Sequence, residues 1–284
     1  MKDIRYYFKK ARKEHWAIGQ FNFSTIEQLR GILEAAKETK SPVILGTSEG
    51  ESKFLGPEEI LALVEISKSK HGVSAFLNLD HGKDLDWIKR AIDLGYSAVH
   101  FDGSDLSLER NMEYTKKIAD YAHKKGVLVE GELGWIGGES KFHKDEARIE
   151  EKNLTKIEEV ELFVKKTGVD SLAVSIGNIH GVYQSMPKLD FERLAGINRK
   201  SKAFLVLHGG SGISNEEIKK AVECGINKIN FNTELRLVWR ESLLKVLQEN
   251  QKEIRPYKIL PQIQISIQKK VEEKISLLNC KNKV

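Results

Sequence analysis

Three histidines, His81, His180 and His208, each follow a short apolar run, and the last opens His208-Gly209-Gly210-Ser211-Gly212. Three imidazoles with an open fourth position form the ligand set of a catalytic zinc and leave room for a substrate oxygen. The glycines let backbone N–H groups approach an anion, and Ser214-Asn215-Glu216-Glu217 starts a helix whose N-terminus adds its positive dipole end. A cation beside a phosphate cradle points to chemistry on a sugar phosphate. Taken singly, each histidine reads more readily as structural and the glycine run as a plain turn. Their shared placement at strand ends is what favours a site.

Carboxylates follow the same pattern. Asp80 directly precedes His81, and strand alternation aims the two side chains differently, so Asp80 serves as acid/base while His81 ligates. The alternative is a carboxylate that merely orients a histidine. Asp102 and Glu132 offer oxygen ligands for a second divalent cation, or another position for the first. The polar stretch from Glu132 to Asn153 is long for a loop between a strand and a helix and carries Gly134, Gly137 and Gly138, which suits a mobile lid. His15, His71 and His123 fall on helices or their ends, and His100 and His143 read as structural or solvated.

The elements that must position these groups show a strand–helix rhythm along the whole chain. Candidate strands are Trp16 to Phe21, Pro42 to Thr47, Ser74 to Leu79, Ser97 to Phe101, Val127 to Gly131, Ser171 to Ser175, Ala203 to Leu207 and Lys228 to Phe231. Helix starts are expected at Ser24 with Glu27, Gly56-Pro57, Thr155 with Glu158, Asp190 with Glu192, and Ser214 with Glu217. Eight such units predict an α/β fold, a (β/α)8 TIM barrel with an extra N-terminal helix, as one domain over 1–284. Its strand C-termini converge on one face, so Asn22, Ser48, Asp80-His81, Asp102, Glu132, Asn178 to Gly181, His208 to Gly212 and Asn230 to Thr233 become neighbours. The loops after the last two strands form the usual phosphate site of such barrels.

Composition narrows the partners. With 46 Lys+Arg against 41 Asp+Glu the net charge is only +5, which suits an anionic metabolite and gives nucleic-acid binding little support. No apolar run approaches membrane-spanning length, and the charged start Met1-Lys2-Asp3-Ile4-Arg5 lacks the apolar core of a signal peptide. Cys224 and Cys280 have no zinc or disulfide spacing, so a cytoplasmic protein with no membrane partner is expected.

Together these residues resemble the class II, metal-dependent ketose-bisphosphate aldolases. The resemblance rests on Leu79-Asp80-His81-Gly82, Phe101-Asp102-Gly103-Ser104, Glu130-Gly131-Glu132-Leu133-Gly134 with Gly137-Gly138, Ile176-Gly177-Asn178-Ile179-His180-Gly181-Val182-Tyr183, Leu207-His208-Gly209-Gly210-Ser211-Gly212 and Asn230-Phe231-Asn232-Thr233-Glu234-Leu235. It implies reversible aldol cleavage of fructose or tagatose 1,6-bisphosphate to dihydroxyacetone phosphate and glyceraldehyde 3-phosphate, a glycolytic type of reaction. His81, His180 and His208 would hold the catalytic Zn2+, Asp80 would be the proton donor, and Asp102 and Glu132 would serve a second metal position. Gly181, Gly209, Gly210 and Ser211, with Asn230, Phe231, Asn232 and Thr233, match the segments that hold dihydroxyacetone phosphate. Asn22 and Ser48 match positions near the substrate, and a homo-oligomer, dimer or larger, is implied.

The chain departs from the family in three places. After the double glycine the family carries an acidic pair whose second member matters, whereas this chain reads Gly138-Glu139-Ser140-Lys141. Either Glu139 takes that role after a one-residue shift, with Asp145 or Glu146 as alternatives, or proton exchange is impaired. Asp105 replaces a frequent histidine. Arg255 stands in Glu253-Ile254-Arg255-Pro256-Tyr257, where the family often has Asp-Pro-Arg and uses the arginine for the second phosphate. No lysine is expected among the strands around the site, which speaks against a Schiff-base mechanism. A metal-dependent hydrolase is disfavoured because no His-x-His pair occurs; a non-catalytic or altered-specificity sugar-phosphate-binding barrel of the same descent is the alternative.

Overall fold

The computed structural model describes residues 2–144 and 149–284. The first half runs α1 (Ile4–Glu14), β1 (Ile18–Asn22), α2 (Ile26–Glu38), β2 (Val43–Ser48), α3 (Glu49–Leu55), α4 (Pro57–His71), β3 (Ala75–Gly82), α5 (Leu85–Leu94), β4 (Ala98–Phe101) and α6 (Leu108–His123). The second half runs β5 (Leu128–Leu133), α7 (Ile157–Thr167), β6 (Ser171–Val174), α8 (Phe191–Lys200), β7 (Phe204–Leu207), α9 (Asn215–Glu223), β8 (Ile226–Phe231), α10 (Thr233–Glu249) and α11 (Pro256–Leu277). The strands pair in chain order, all parallel, and β8 closes on β1 to complete the barrel. Among the described residues no helix is long and apolar enough to cross a membrane.

Helix α1 closes the end of the barrel where the strands begin. It buries Tyr7, Phe8 and Ala11. The Phe8 ring stacks on Phe204 at 4.9 Å, and the Tyr7 hydroxyl lies 2.8 Å from Ser74 Oγ just before β3. The opposite end, where the strands finish, is left for the loops.

Parallel strands covered by helices are buried on both faces, and every residue of β1, β4, β5, β6, β7 and β8 is buried here. The barrel interior is not the usual stack of branched aliphatic side chains. Gln20 and Asn22 on β1, Asn78 and Asp80 on β3, His100 on β4, Glu130 and Glu132 on β5, and Lys228 and Asn230 on β8 are all buried. Their hydrogen bonds join strands that are not neighbours: Asn230 to Asp80 at 3.0 Å and Lys228 to Glu130 at 2.7 Å. Such bonds must cross the interior. Residues two apart on a strand share a face, which is why these polar groups come in i, i+2 pairs.

Two expected helix starts shift. α2 is capped by Thr25, whose hydroxyl accepts from Gln28 N, rather than by Ser24. Thr155 caps nothing; α7 begins two residues later, because the Thr155 hydroxyl accepts from Ser175 N at 2.8 Å and donates to Leu133 O instead. Asp190 and Ser214 do cap α8 and α9. One further helix was not expected from the sequence: Ser48 and Glu51 form a reciprocal capping box that starts α3 directly at the end of β2.

Candidate active site

Strand β3 delivers two consecutive residues to one place, against the expectation that alternation would separate them. The β3–β4 ladder shifts register between Leu79 and Gly82, and His81 takes a left-handed backbone with φ 49°. This turn in the chain brings the His81 ring back alongside Asp80, so both line the same cavity. β6 with its extension supplies His180, and His208 ends β7.

The three rings meet through single nitrogens. His81 Nε2 lies 3.0 Å from His180 Nε2 and 2.8 Å from His208 Nδ1. Each ring's other nitrogen faces an atom that can only accept: His81 Nδ1 faces Asp102 Oδ2 at 3.0 Å, His180 Nδ1 faces Ile136 O at 3.2 Å, and His208 Nε2 faces Glu130 Oε1 at 2.6 Å. Those outer nitrogens therefore carry the protons, and three lone pairs are left converging on His81's inner edge. Lone pairs so placed repel unless a cation stands among them, and outer hydrogen bonds of this kind are how proteins fix metal-binding imidazoles. The donor set thus fits a divalent metal.

Electrostatics point the same way. Burial opposes a charge on His81, yet Asp80, the Asp102 hydrogen bond and Glu132 outweigh it and hold the ring at about 9. A proton there answers the same demand as a metal. Burial, together with the neighbouring His81 and His208, pushes His180 down to about 3. His208 is lowered by burial and by His81.

Asp80 is buried, but the charges of His81, His208, Lys228 and His100 overcome burial and hold its carboxyl well below the ordinary range. Asn22 Nδ2 donates to its Oδ2 at 2.9 Å and Asn230 Nδ2 to its Oδ1 at 3.0 Å. It is an ionised base with both oxygens held. Asn22 is itself fixed by Gln20 at 3.2 Å and by Glu51 at 3.1 Å.

A second group sits beside His81. His81, Asp102 and Glu132 offer ligand atoms within 4.8 Å of one another, as do Asp80, His81, His100 and His208. Both Glu132 oxygens are buried without a hydrogen bond among the described residues, Oε2 standing 3.6 Å from His100 Nε2, and burial plus the Asp102 charge raise its carboxyl well above the ordinary value. A cation at that position would relieve both conditions. Asp102, its own burial outweighed by the His81 hydrogen bond, stays well below the ordinary carboxylate range.

The expected anion cradle has fewer free N–H groups than the glycine run offers. Gly210 N–H is committed to Asn230 O at 3.0 Å and Gly212 N–H to Glu234 Oε1 at 3.1 Å. Gly181, Gly209, Ser211 and Thr233, whose N–H groups find no acceptor among the described residues, line one cavity of about 90 Å³ with Asp80, His81, His180, His208 and Arg236. Gly209 has φ 64°, and a Cβ there would strike Ile179 O, so only glycine fits. Thr233 opens α10, whose N-cap Asn232 makes no side-chain cap; Glu234 N–H donates to Ser211 Oγ at 3.2 Å, and the Thr233 N–H beside it has no acceptor among the described residues.

Not every expected residue joins this cavity. Ser48 and Asn232 line it, Ser48 also capping α3. The Phe231 side chain packs against Phe21 at 5.8 Å in the core, leaving only its backbone near the site. Glu139 points outward, with 73% of its side chain exposed and paired to Lys141. Arg255 lies at the N-cap of α11, exposed and held by Glu253 at 2.6 Å, outside the cavity walls. Asp145 and Glu146 lie outside the described residues. The loop after β5 packs on the loop after β6: His143 N donates to Val182 O at 2.8 Å and Val182 N to Lys141 O at 3.1 Å.

Several site residues were not singled out from the sequence. His100, read as structural or solvated, is fully buried, its ring 4.8 Å from both His81 and His208. Burial and the two histidines push it down to about 3 despite Glu130. Lys228 overturns the expectation that no lysine lies among the strands around the site, because it shares the inward face of Asn230 on β8. Glu51 accepts from Arg236 at 2.7 Å, and Arg236 also donates to Ser140 O at 3.1 Å, tying α3, α10 and the β5 loop together over the cavity.

The family described as "Fructose-bisphosphate aldolase class-II" matches residues 2–283. The chain is 38% identical over 277 residues to a sulfofructosephosphate aldolase of Alkalicoccus urumqiensis, covering 97% of this chain and 95% of that protein. It is 36% identical over 276 residues to a fructose-bisphosphate aldolase of Staphylococcus aureus, covering 96% and 95%. Among solved structures it resembles the YdjI aldolase of Escherichia coli K12, with TM-score 0.83, 32% identity, and coverage of 99% of this chain and 98% of that one.

Proposed function

The chain belongs to the class II fructose-bisphosphate aldolase family, and from that premise we propose that it cleaves a ketose 1,6-bisphosphate, fructose or tagatose 1,6-bisphosphate, reversibly to dihydroxyacetone phosphate and glyceraldehyde 3-phosphate. A Zn2+ held by His81, His180 and His208 would supply Lewis acidity toward the ketose carbonyl. The observation that carries this reading is the convergence of three imidazole lone pairs beside an ionised Asp80, next to unpartnered N–H groups suited to one phosphate.

The chain's own residues divide the remaining work. Asp80, its oxygens held by Asn22 and Asn230, takes the proton of the C4 hydroxyl in cleavage and returns it in condensation. Gly181, Gly209, Ser211 and Thr233 orient the dihydroxyacetone phosphate half through backbone N–H groups. Glu139 is the residue proposed for proton exchange on that product, which requires the Gly137-Gly138 segment to bring it inward from its place beside Lys141. Arg255 is proposed for the second phosphate from a neighbouring copy of the chain, since within one chain it lies with Glu253. A cytoplasmic homo-oligomer completes the reading.

An aldolase of altered specificity is the second reading. It is favoured by Asp105, whose carboxylate pairs with Lys83 in a cleft of about 410 Å³ on the other side of His81 and His180. It is also favoured by a relative named sulfofructosephosphate aldolase at 38% identity, against 36% for the fructose-bisphosphate aldolase. Cleavage of fructose and tagatose 1,6-bisphosphates, assayed with and without chelator, tests both. Metal-dependent release of dihydroxyacetone phosphate from either supports the first reading. Release only from other ketose 1-phosphates supports the second.

A further inference from the structure

Glu130 and Glu132 are the same residue type on the same inward face of β5, two positions apart, and they meet opposite fates. Glu132 leaves both oxygens without a hydrogen bond among the described residues, the nearest ring nitrogen being His100 Nε2 at 3.6 Å from Oε2. Glu130 has both engaged: Oε1 faces His208 Nε2 at 2.6 Å, and Oε2 receives the Lys228 ammonium at 2.7 Å, with Ser171 Oγ at 3.5 Å. Lys228 is only 2% exposed, an unusual cost for a cation placed in the interior of a site whose donor set fits a second cation. The ammonium has a specific geometric effect. It occupies the Glu130 oxygen that His208 does not, so both oxygens of the carboxylate are taken, Oε1 by the His208 ring and Oε2 by the ammonium, and neither is free to bind elsewhere.

Resting on the metal-site reading above, we propose that Lys228 is a positioning residue: it pins Glu130 as the hydrogen-bond acceptor of His208, fixing that ring with Nδ1 turned to the metal, and keeps Glu130 from becoming a metal ligand. Without the ammonium, Glu130 is a buried carboxylate with Oε2 released from its cation, while Oε1 stays against His208 and 4.0 Å from His100 Nδ1, one ring removed from where the dication would be held. Its nearest relief is then to leave His208 and bind the metal. His208 would lose the bond that sets its tautomer, and the metal would gain a carboxylate it does not normally carry. Loss of such an outer partner typically lowers metal affinity about 10–100-fold.

The test uses Lys228→Met, Lys228→Arg, and the double variant Lys228→Met with Glu130→Gln, which removes both buried charges and keeps an acceptor near His208. Zn2+ affinity is read by chelator competition, and the ligand set by the visible absorption of the Co2+-loaded protein. Thermal melts of the metal-free forms report folding. Lys228→Met is expected to bind Zn2+ about 10–100-fold more weakly and to show the weaker Co2+ bands of a site with an added ligand. Lys228→Arg should restore part of the affinity. The double variant should recover the wild-type Co2+ bands, because no carboxylate remains to enter. Wild-type Zn2+ affinity and Co2+ bands in a folded Lys228→Met would overturn the proposal. If that variant does not fold, Lys228→Gln, which removes the charge and keeps a donor, decides: added-ligand Co2+ bands in it uphold the proposal, and wild-type Zn2+ affinity and Co2+ bands overturn it. Failure of the wild-type protein to bind Zn2+ at all would instead refute the metal-site reading on which this rests.

Discussion

Asp80→Asn separates the proton-transfer role of this residue from its structural one, because the two losses differ in size. Asp80 accepts one hydrogen bond from Asn22 and one from Asn230. An asparagine offers one acceptor and one NH2, so one neighbour must turn. Asn22 cannot do so freely, since its Oδ1 receives Gln20 and its Nδ2 also serves Glu51. Asn230 can, because its Oδ1 has no partner among the described residues and is ready to accept from the new amide. The variant keeps two hydrogen bonds and exchanges charge-assisted ones for neutral ones, a loss of about 1 kcal/mol, or roughly 2–4 °C in Tm. Removing a general base costs about 10²-fold or more in kcat, equivalent to about 2.7 kcal/mol of barrier. Turnover of fructose 1,6-bisphosphate per bound metal, with metal measured on the same sample, is the assay. A kcat per metal within about threefold of wild type would refute the assignment of Asp80 as base.

Exhaustive chelation should abolish cleavage, and Zn2+ or Co2+ should restore it; Lys228 makes borohydride trapping a meaningful control, and a trapped substrate adduct there would refute the mechanism. The metal-free site holds a proton on His81, so below about pH 9 Zn2+ binding must displace it, and apparent affinity should rise about tenfold per pH unit between roughly 7 and 9; an affinity independent of pH across that window contradicts the reading. The same raised pKa stabilises the metal-free fold fully below the ordinary imidazole value and is lost as pH rises through about 9, so the metal-free melting temperature should fall over that interval while the Zn2+-loaded one does not. Glu139→Gln should slow solvent deuterium exchange into dihydroxyacetone phosphate; unchanged exchange removes Glu139 from the reaction.

Much of the architecture could be read because parallel strands announce themselves as short apolar runs ending in polar residues, and Ser171–Val174 or Phe204–Leu207 leave little else to be. The three histidines and Asp80 were legible for the same reason, since they stand at those ends. His100, Glu130 and Lys228 were not, because they lie within strands rather than at the C-terminal ends that mark a barrel's site. A period-two signal was nonetheless present in Gln20/Asn22, Asn78/Asp80, Glu130/Glu132 and Lys228/Asn230, each a pair of polar residues on one strand face. The proximity of Asp80 and His81 could not be read from alternation, since it depends on a backbone angle that only tertiary contacts impose. Thr155 illustrates the same limit on a helix: its hydroxyl had a stronger offer from Leu133 and Ser175 than from the helix it precedes.

The left-handed backbone of His81 has an implication for how this chain can change over generations. A side chain other than glycine at φ 49° costs roughly 1–2 kcal/mol, a sizeable share of a stability margin of about 5–15 kcal/mol. Glycine there would relax the strand, and asparagine nearly so. A lineage that no longer used the cation would therefore meet, at this one codon, substitutions that both stabilise the fold and destroy the site. Drift toward a dead barrel is downhill from here, and if His81 holds the proposed cation, that use is what opposes it.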